Sequence, residues 1–119
     1  MILMSNYYLY CVILEDCPFS IEAKKLLDSH NKFKKEINII KYNDKEKYKT
    51  ELINTFPQIY LKKYGSKGSQ LIGGYTDIQY IFNKFYGKYN NNEVESFLTN
   101  NKSWSKKGFL RLIELINSK

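Results

Sequence analysis

The chain has 119 residues, a length that fits one domain around one hydrophobic core. Hydrophobic residues make up 43%, but no apolar run reaches the roughly 18 residues of a spanning helix, so no transmembrane helix is expected. The net charge of +7 lies mostly in residues 61–119, where nine lysines and one arginine face four acids. A basic half can attract nucleic acid or a membrane, but dispersed lysines without a recognition motif favour a solvated surface.

The two cysteines, Cys11 and Cys17, are too few for a disulfide framework. We therefore expect a soluble protein of a reducing compartment, the cytoplasm. Residues 1–14 lack the basic leader and the small-residue cleavage site of a secretory signal. The single histidine, His30, leaves no Cys/His cluster with zinc spacing, and we expect it to have a structural role near a helix end.

The first forty residues predict a β-α-β unit. Aromatic and β-branched residues indicate a strand at Tyr7–Leu14, and isoleucines indicate a second strand at Glu36–Lys41. Pro18 suits the first turn of an intervening helix, whose apolar stripe extends to about Asn31. A unit of this kind implies parallel strands and a right-handed crossover.

A second, short helix is predicted to begin after Asp44, which can cap it, and to run from Lys45 to about Asn54. Pro57 marks the break that follows. The residues expected on its inner side are Tyr48, Leu52 and Ile53.

The next segment predicts a hairpin and a third helix. The strands are Gln58–Lys62 and Gln70–Ile72, joined by glycine- and serine-rich turn residues, and the helix runs from Thr76 to about Tyr86. The elements together predict an α/β fold in which helices flank a small mixed sheet.

The C-terminal residues predict added helical structure. A polar linker covers Lys88–Asn92, and one or two helical turns follow at Glu93–Thr99. A final helix, anchored by Trp104, has an apolar stripe that we expect to pack on the domain, although a partner-binding helix is the alternative. We therefore divide the chain into a domain at 1–87 and a helical extension at 88–119 packed on it. The stripe consists of Phe109, Leu112, Ile113 and Ile116.

Cys17 lies where the first strand gives way to the first helix. Helix N-terminal N–H groups favour the thiolate, which is the reactive form of a cysteine. Ser20 can donate its hydroxyl to the sulfur. A buried cysteine that acts as a small apolar residue is the alternative.

Two later segments have features typical of ligand sites. Pro57 directly precedes a strand, and a cis bond there would turn the Phe56 backbone toward an incoming peptide; an ordinary strand-initiating proline is the alternative. The pair Gly73-Gly74 allows a close backbone approach, and the helix that follows can bind a carboxylate at its N-terminus. Asp77 can accept a ligand ammonium, although a plain turn with a helix cap would look the same.

In this combination the chain resembles the glutaredoxins, which have a thioredoxin-like fold with a four-stranded mixed sheet. The resemblance covers about Tyr7–Tyr86, and the motifs occur in the order and near the spacing of that family. They are Cys17-Pro18-Phe19-Ser20, Thr55-Phe56-Pro57-Gln58-Ile59-Tyr60 and Ile72-Gly73-Gly74-Tyr75-Thr76-Asp77.

The resemblance implies a redox-active centre that uses glutathione. Cys17 would be the nucleophile, with Ser20 beside it, and Phe56 before cis-Pro57 would pair with the cysteinyl part of glutathione. Thr76 and Asp77 would hold its γ-glutamyl end. The other implied glutathione-binding residues are Phe19, Lys47, Gly74 and Tyr75.

The sequence departs from the family pattern at two places near the thiol. Ser20 stands where dithiol members have a second cysteine, so Cys17 cannot form an internal disulfide there. Leu14 stands where members often have a lysine for the glycine carboxylate, and two acids follow it. Lys47, or a neighbouring lysine, is the expected substitute.

The implied function is monothiol, glutathione-dependent reduction of protein–glutathione disulfides. The expected partners are glutathione and glutathionylated proteins, not nucleic acid or a membrane, and the expected state is a monomer. One alternative is a dimeric carrier of a [2Fe–2S] cluster held by two Cys17 thiolates and two glutathiones, against which Pro18 argues mildly. The other is a non-catalytic docking module.

Overall fold

The computed structural model describes residues 6–30 and 32–118, and within them it has four strands and five helices. The predicted end of the first helix near Asn31 lies outside the described residues. No described helix is long and apolar enough to span a bilayer. The strands are β1 (Tyr7–Leu14), β2 (Lys35–Ile40), β3 (Gln58–Lys63) and β4 (Ser69–Gly73); the helices are α1 (Pro18–Asp28), α2 (Lys45–Tyr48), α3 (Tyr75–Phe85), α4 (Asn91–Asn100) and α5 (Lys106–Ile116).

The four strands form one mixed sheet in the order β2-β1-β3-β4. Strands β1 and β2 pair in parallel across the α1 crossover, whereas β1–β3 and β3–β4 are antiparallel. The end of β1, the start of β3 and the end of β4 therefore meet at one edge of the sheet. The predicted four-stranded mixed sheet flanked by helices is confirmed.

Residues 11–14 of β1 are buried on both faces of the sheet, which explains their continuous apolar sequence. Leu9, Cys11 and Ile13 point into the main core beneath the helices. Val12 and Leu14 point to the opposite face, where they form a smaller cluster with Ile40. Because side chains alternate along a strand, Cys11 is directed away from the face on which Cys17 packs.

Helix α2 is shorter than the sequence predicts. It ends at Tyr48, because the Thr50 hydroxyl accepts hydrogen bonds from the backbone N–H groups of Leu52 (3.1 Å) and Ile53 (3.0 Å) and so forms a turn. The prediction that Leu52 lies on an inner side is wrong, since this residue is 80% exposed. Much of this sheet face is therefore left without a covering helix.

The C-terminal helices share the main core with the sheet. The Phe109 ring on α5 is fully buried, with ring centroids 5.0 Å from Phe85 of α3 and 4.1 Å from Phe97 of α4. Trp104, in the loop between α4 and α5, packs edge-on against Phe109 at 5.5 Å. Aromatic contacts thus join the C-terminal helices to the helix that follows the hairpin.

His30 lies just after the end of α1 and contacts α3. Its ring centroid is 4.4 Å from that of Phe82 and 4.7 Å from that of Tyr86. These contacts remove water from the imidazole, and this desolvation lowers the pKa of His30. The positive charge of Lys35 lowers it further. The residue joins two helices by packing.

We expect Phe109→Ala to lower the free energy of unfolding by about 3–5 kcal/mol, because it removes a fully buried ring and leaves a cavity. Equilibrium unfolding in urea measures the loss, and the exposed substitution Lys102→Ala serves as the control. A loss below about 1 kcal/mol would contradict the packing of α5 on the domain.

Candidate functional site

A tight turn positions Cys17 between β1 and α1. Asp16 has φ 61°, in the left-handed region that aspartate tolerates better than most residues. The Cys17 backbone N–H donates to the Leu14 carbonyl (3.3 Å), and Pro18 begins the helix. Cys17 is partly exposed, while the side chains of Glu15 and Asp16 face solvent.

The Cys17 sulfur lies beside the loop that precedes β3. Its thiol is 3.9 Å from the carbonyl oxygen of Phe56, a long contact with a weak donor. The peptide bond between Phe56 and Pro57 is cis, the first of the two alternatives that the sequence leaves open for this proline. Cys17 also packs against the smaller cluster, together with Tyr48 and Phe56.

Ser20 has a structural partner in place of the predicted one. Its side chain is fully buried, and its Oγ accepts a hydrogen bond from the backbone N–H of Leu14 (3.1 Å). The predicted hydrogen bond from Ser20 to the Cys17 sulfur is absent from the described contacts. Ser20 thus ties the end of β1 to the first turn of α1.

The glycine pair and Asp77 form the start of α3 together. Gly73 has φ 132°, and a Cβ at this position would collide with the Asp77 carboxyl group, so only glycine fits here. Asp77 Oδ2 accepts a hydrogen bond from the Gly74 backbone N–H (2.9 Å). The carboxylate is exposed, and Oδ1 faces no hydrogen-bond donor of the described residues.

The three motifs meet at the edge of the sheet where their elements end or begin. The Phe19 ring, 61% exposed, lies 6.5 Å from the Tyr75 ring at the start of α3. The Pro57 carbonyl lies beside Gly74, 3.6 Å from where a Cβ on that glycine would stand. Phe56 borders Cys17, as described above, so predicted residues of all three motifs line one surface.

Lys47 is the predicted site residue that belongs to none of the three motifs. It lies on α2, is 77% exposed, and forms an ion pair with Asp44 (3.3 Å). It lines a groove of about 560 Å³ on the sheet face that α2 leaves open, with Tyr10 and Tyr60 in its wall. The sequence pattern does not indicate this groove, because it predicts a helix long enough to cover the face.

The described residues contain no group of three or more His, Cys, Asp or Glu side chains arranged to hold a metal ion. Cys11 is fully buried, and burial raises the pKa of its thiol to about 12, although Lys35 opposes this slightly. Cys17 is therefore the one thiol of this region that can exchange with a ligand.

Comparisons with known proteins agree with this geometry. A family model described as glutaredoxin matches residues 1–64. The crystal structure of glutaredoxin 1 from Francisella tularensis, complexed with cacodylate, superimposes with a TM-score of 0.51 at 22% identity, over 65% of this chain and 93% of that chain. At this identity the likeness bears on the fold alone, and it confirms the predicted thioredoxin-like fold. No curated protein matches the chain significantly.

In native protein at mildly alkaline pH, iodoacetamide should modify Cys17 and spare Cys11, whose thiol is buried and protonated. In urea both cysteines should react. Peptide mapping by mass spectrometry identifies the modified residue. Rapid labelling of Cys11 in the native state would contradict the assigned burial.

Gly73→Ala should destabilise the fold by about 1–3 kcal/mol, since alanine is strained at this φ and displaces the Asp77 carboxyl group. Gly68→Ala is the matched control, because the nearest neighbour of its Cβ would be the Ser66 hydroxyl at 3.8 Å. Urea unfolding of both variants gives the comparison. Equal stability of the two would refute the steric role of Gly73.

Proposed function

The chain belongs to the glutaredoxin family, and on this premise we propose that it reduces protein–glutathione mixed disulfides through Cys17 alone. The observation that carries the proposal is the position of one accessible sulfur at the start of α1, next to the Phe56 carbonyl. The start of α3 lies on the same surface and offers a place for the charged end of glutathione.

Glutathione binding is assigned to the Phe56 backbone and to the start of α3. The γ-glutamyl carboxylate would accept hydrogen bonds from the N–H groups that open α3, at Tyr75 and Thr76. Asp77 Oδ1 is the acceptor for the ammonium group, since Oδ2 already bonds Gly74. The Phe56 backbone would pair with the cysteinyl residue, which brings the glutathione sulfur toward Cys17.

The reaction is two successive thiol–disulfide exchanges. The Cys17 thiolate attacks the glutathione sulfur of the mixed disulfide, and the target protein leaves as a thiolate that takes up a proton. A second glutathione, as thiolate, attacks the glutathione sulfur of the Cys17 adduct. The products are glutathione disulfide and the Cys17 thiolate, so the two electrons come from glutathione.

The second step needs an external thiol, because neither Ser20 nor Cys11 can attack the Cys17 adduct. Ser20 has no sulfur, and its buried hydroxyl is bound to Leu14. Cys11 lies in the main core on the other side of the sheet. This chemistry requires reduced glutathione, and the cytoplasm is the compartment that we propose for it.

The glycine carboxylate of glutathione needs a cation beside it. Lys47 is the proposed cation, and its ion pair with Asp44 is exposed, so exchanging partners costs little. Leu14 is buried in the smaller cluster and carries no charge that could bind the glycine carboxylate. The neighbouring Glu15 and Asp16 point into solvent, where water and salt screen them.

The [2Fe–2S] carrier has less support from the described residues. Such a cluster needs four ligands, and one chain offers the single accessible sulfur of Cys17. Four ligands would require a second chain and two glutathiones, whereas the proposed exchange reaction needs one chain only.

A glutathione-reductase-coupled assay with a small glutathione mixed disulfide tests the proposal. Cys17→Ser should reduce turnover to background, because it removes the nucleophile. Cys11→Ala should keep most of the activity, because the buried thiol takes no part. An active Cys17→Ser variant, or an inactive wild-type protein that binds no glutathione, would overturn the proposal; the latter result would favour a docking module.

A further inference from the structure

Helices α3 and α4 enclose a cleft, here called the α3–α4 cleft, that the proposed reaction does not use. Its first part has a volume of about 370 Å³ and a floor of buried Ile81, Phe97 and Trp104. A second cavity of about 220 Å³ shares Tyr80 and Ser96 with the first and continues toward Lys84. Its rim residues on α3 and α4 are largely exposed.

The rim of the cleft carries two side-chain amides at the C-terminal end of α4. The side-chain amides of Asn100 and Asn101 donate to the carbonyls of Ser96 (3.1 Å) and Phe97 (2.8 Å). Each amide keeps its acceptor oxygen and one further N–H, since the NH₂ group of asparagine has two donors. The rim can therefore accept hydrogen bonds from the N–H groups of a peptide and donate to its carbonyls.

The charge of the cleft is opposite to that of the protein as a whole. In a chain of net charge +7, the lining of the first cavity contains one carboxylate, Asp77, and neither lysine nor arginine. The second cavity ends at Lys84, whose charge is balanced by Glu93 at 3.8 Å. The γ-glutamyl end of glutathione is a zwitterion and leaves the net charge beside Asp77 unchanged, so a cationic ligand segment is attracted here, whereas the rest of the basic surface repels it.

The cleft is continuous with the proposed glutathione site, because Thr76 and Asp77 belong to both. Along α3, the distance from Thr76 to Lys84 is about 12 Å, which matches three or four residues of extended peptide. We propose that the α3–α4 cleft binds a lysine- or arginine-containing segment of the glutathionylated protein substrate. This inference rests on the proposed function and adds a substrate preference to it.

Turnover of three substrates tests the inference. Two are glutathionylated peptides of about ten residues, with a reach on the order of 30 Å, that differ in having lysines or glutamates around the cysteine. The third is a small glutathione mixed disulfide without a peptide. We expect wild-type kcat/KM to be about fivefold higher for the lysine peptide than for the glutamate peptide, with the difference declining as salt rises.

Two variants, each with a matched control, test whether the preference for the lysine peptide arises at the cleft. Asn100→Lys places a cation on the rim and should abolish the preference, whereas Thr99→Lys adds the same charge on α4 outside the cleft lining and should retain it. Ser96→Trp should block the cleft and slow both peptides, and Thr99→Trp is its control. None of these changes should alter turnover of the small disulfide, which does not reach the cleft.

These outcomes distinguish a failure of the cleft assignment from a failure of the proposed function. If the small disulfide is reduced but the two peptides react equally, or if both lysine variants lose the preference alike, the cleft assignment is wrong and the proposed function stands. If Asn100→Lys changes the oligomeric state in light scattering, the cleft is an interface between copies and the inference is overturned. If wild-type protein reduces none of the substrates, both proposals fail.

Discussion

The buried hydrogen bond from the Leu14 N–H to the Ser20 hydroxyl is the constraint on which the site depends. It fixes the last residue of β1 against the first turn of α1, so the turn between them holds Cys17 at the surface. Without it, a buried N–H would be unpaired, at a cost of about 1–3 kcal/mol. Ser20 therefore supports the geometry of the thiol even though it makes no bond to the sulfur.

The sheet topology places the other site residues near the Cys17 thiol. Because β3 runs antiparallel to β1, and β4 antiparallel to β3, Pro57 and the Gly73-Gly74 pair come to the edge where β1 ends. Much of this could be predicted from sequence, since alternating apolar residues define the strands and proline or glycine marks where each stops. The β1 boundaries, the mixed sheet and the added helices were all predictable on these grounds.

The parts that sequence could not predict depend on competition between local and tertiary contacts. The Thr50 turn ends α2 early, although Leu52 and Ile53 have the spacing of a helical stripe. The hydrogen bond between Leu14 and Ser20 was not predicted, because Cys17 is nearer to Ser20 in the sequence than Leu14 is. The α3–α4 cleft arises from how two helices pack, so neither Asn100 nor Asp77 could be assigned to one rim from the sequence.

The central claim is that one thiol carries a glutathione adduct with no internal partner. Intact-mass spectrometry after incubation with glutathione disulfide, followed by peptide mapping, measures this directly. The account predicts a single glutathione on Cys17 that reduced glutathione removes. A disulfide between Cys11 and Cys17, or the absence of any adduct, would contradict it.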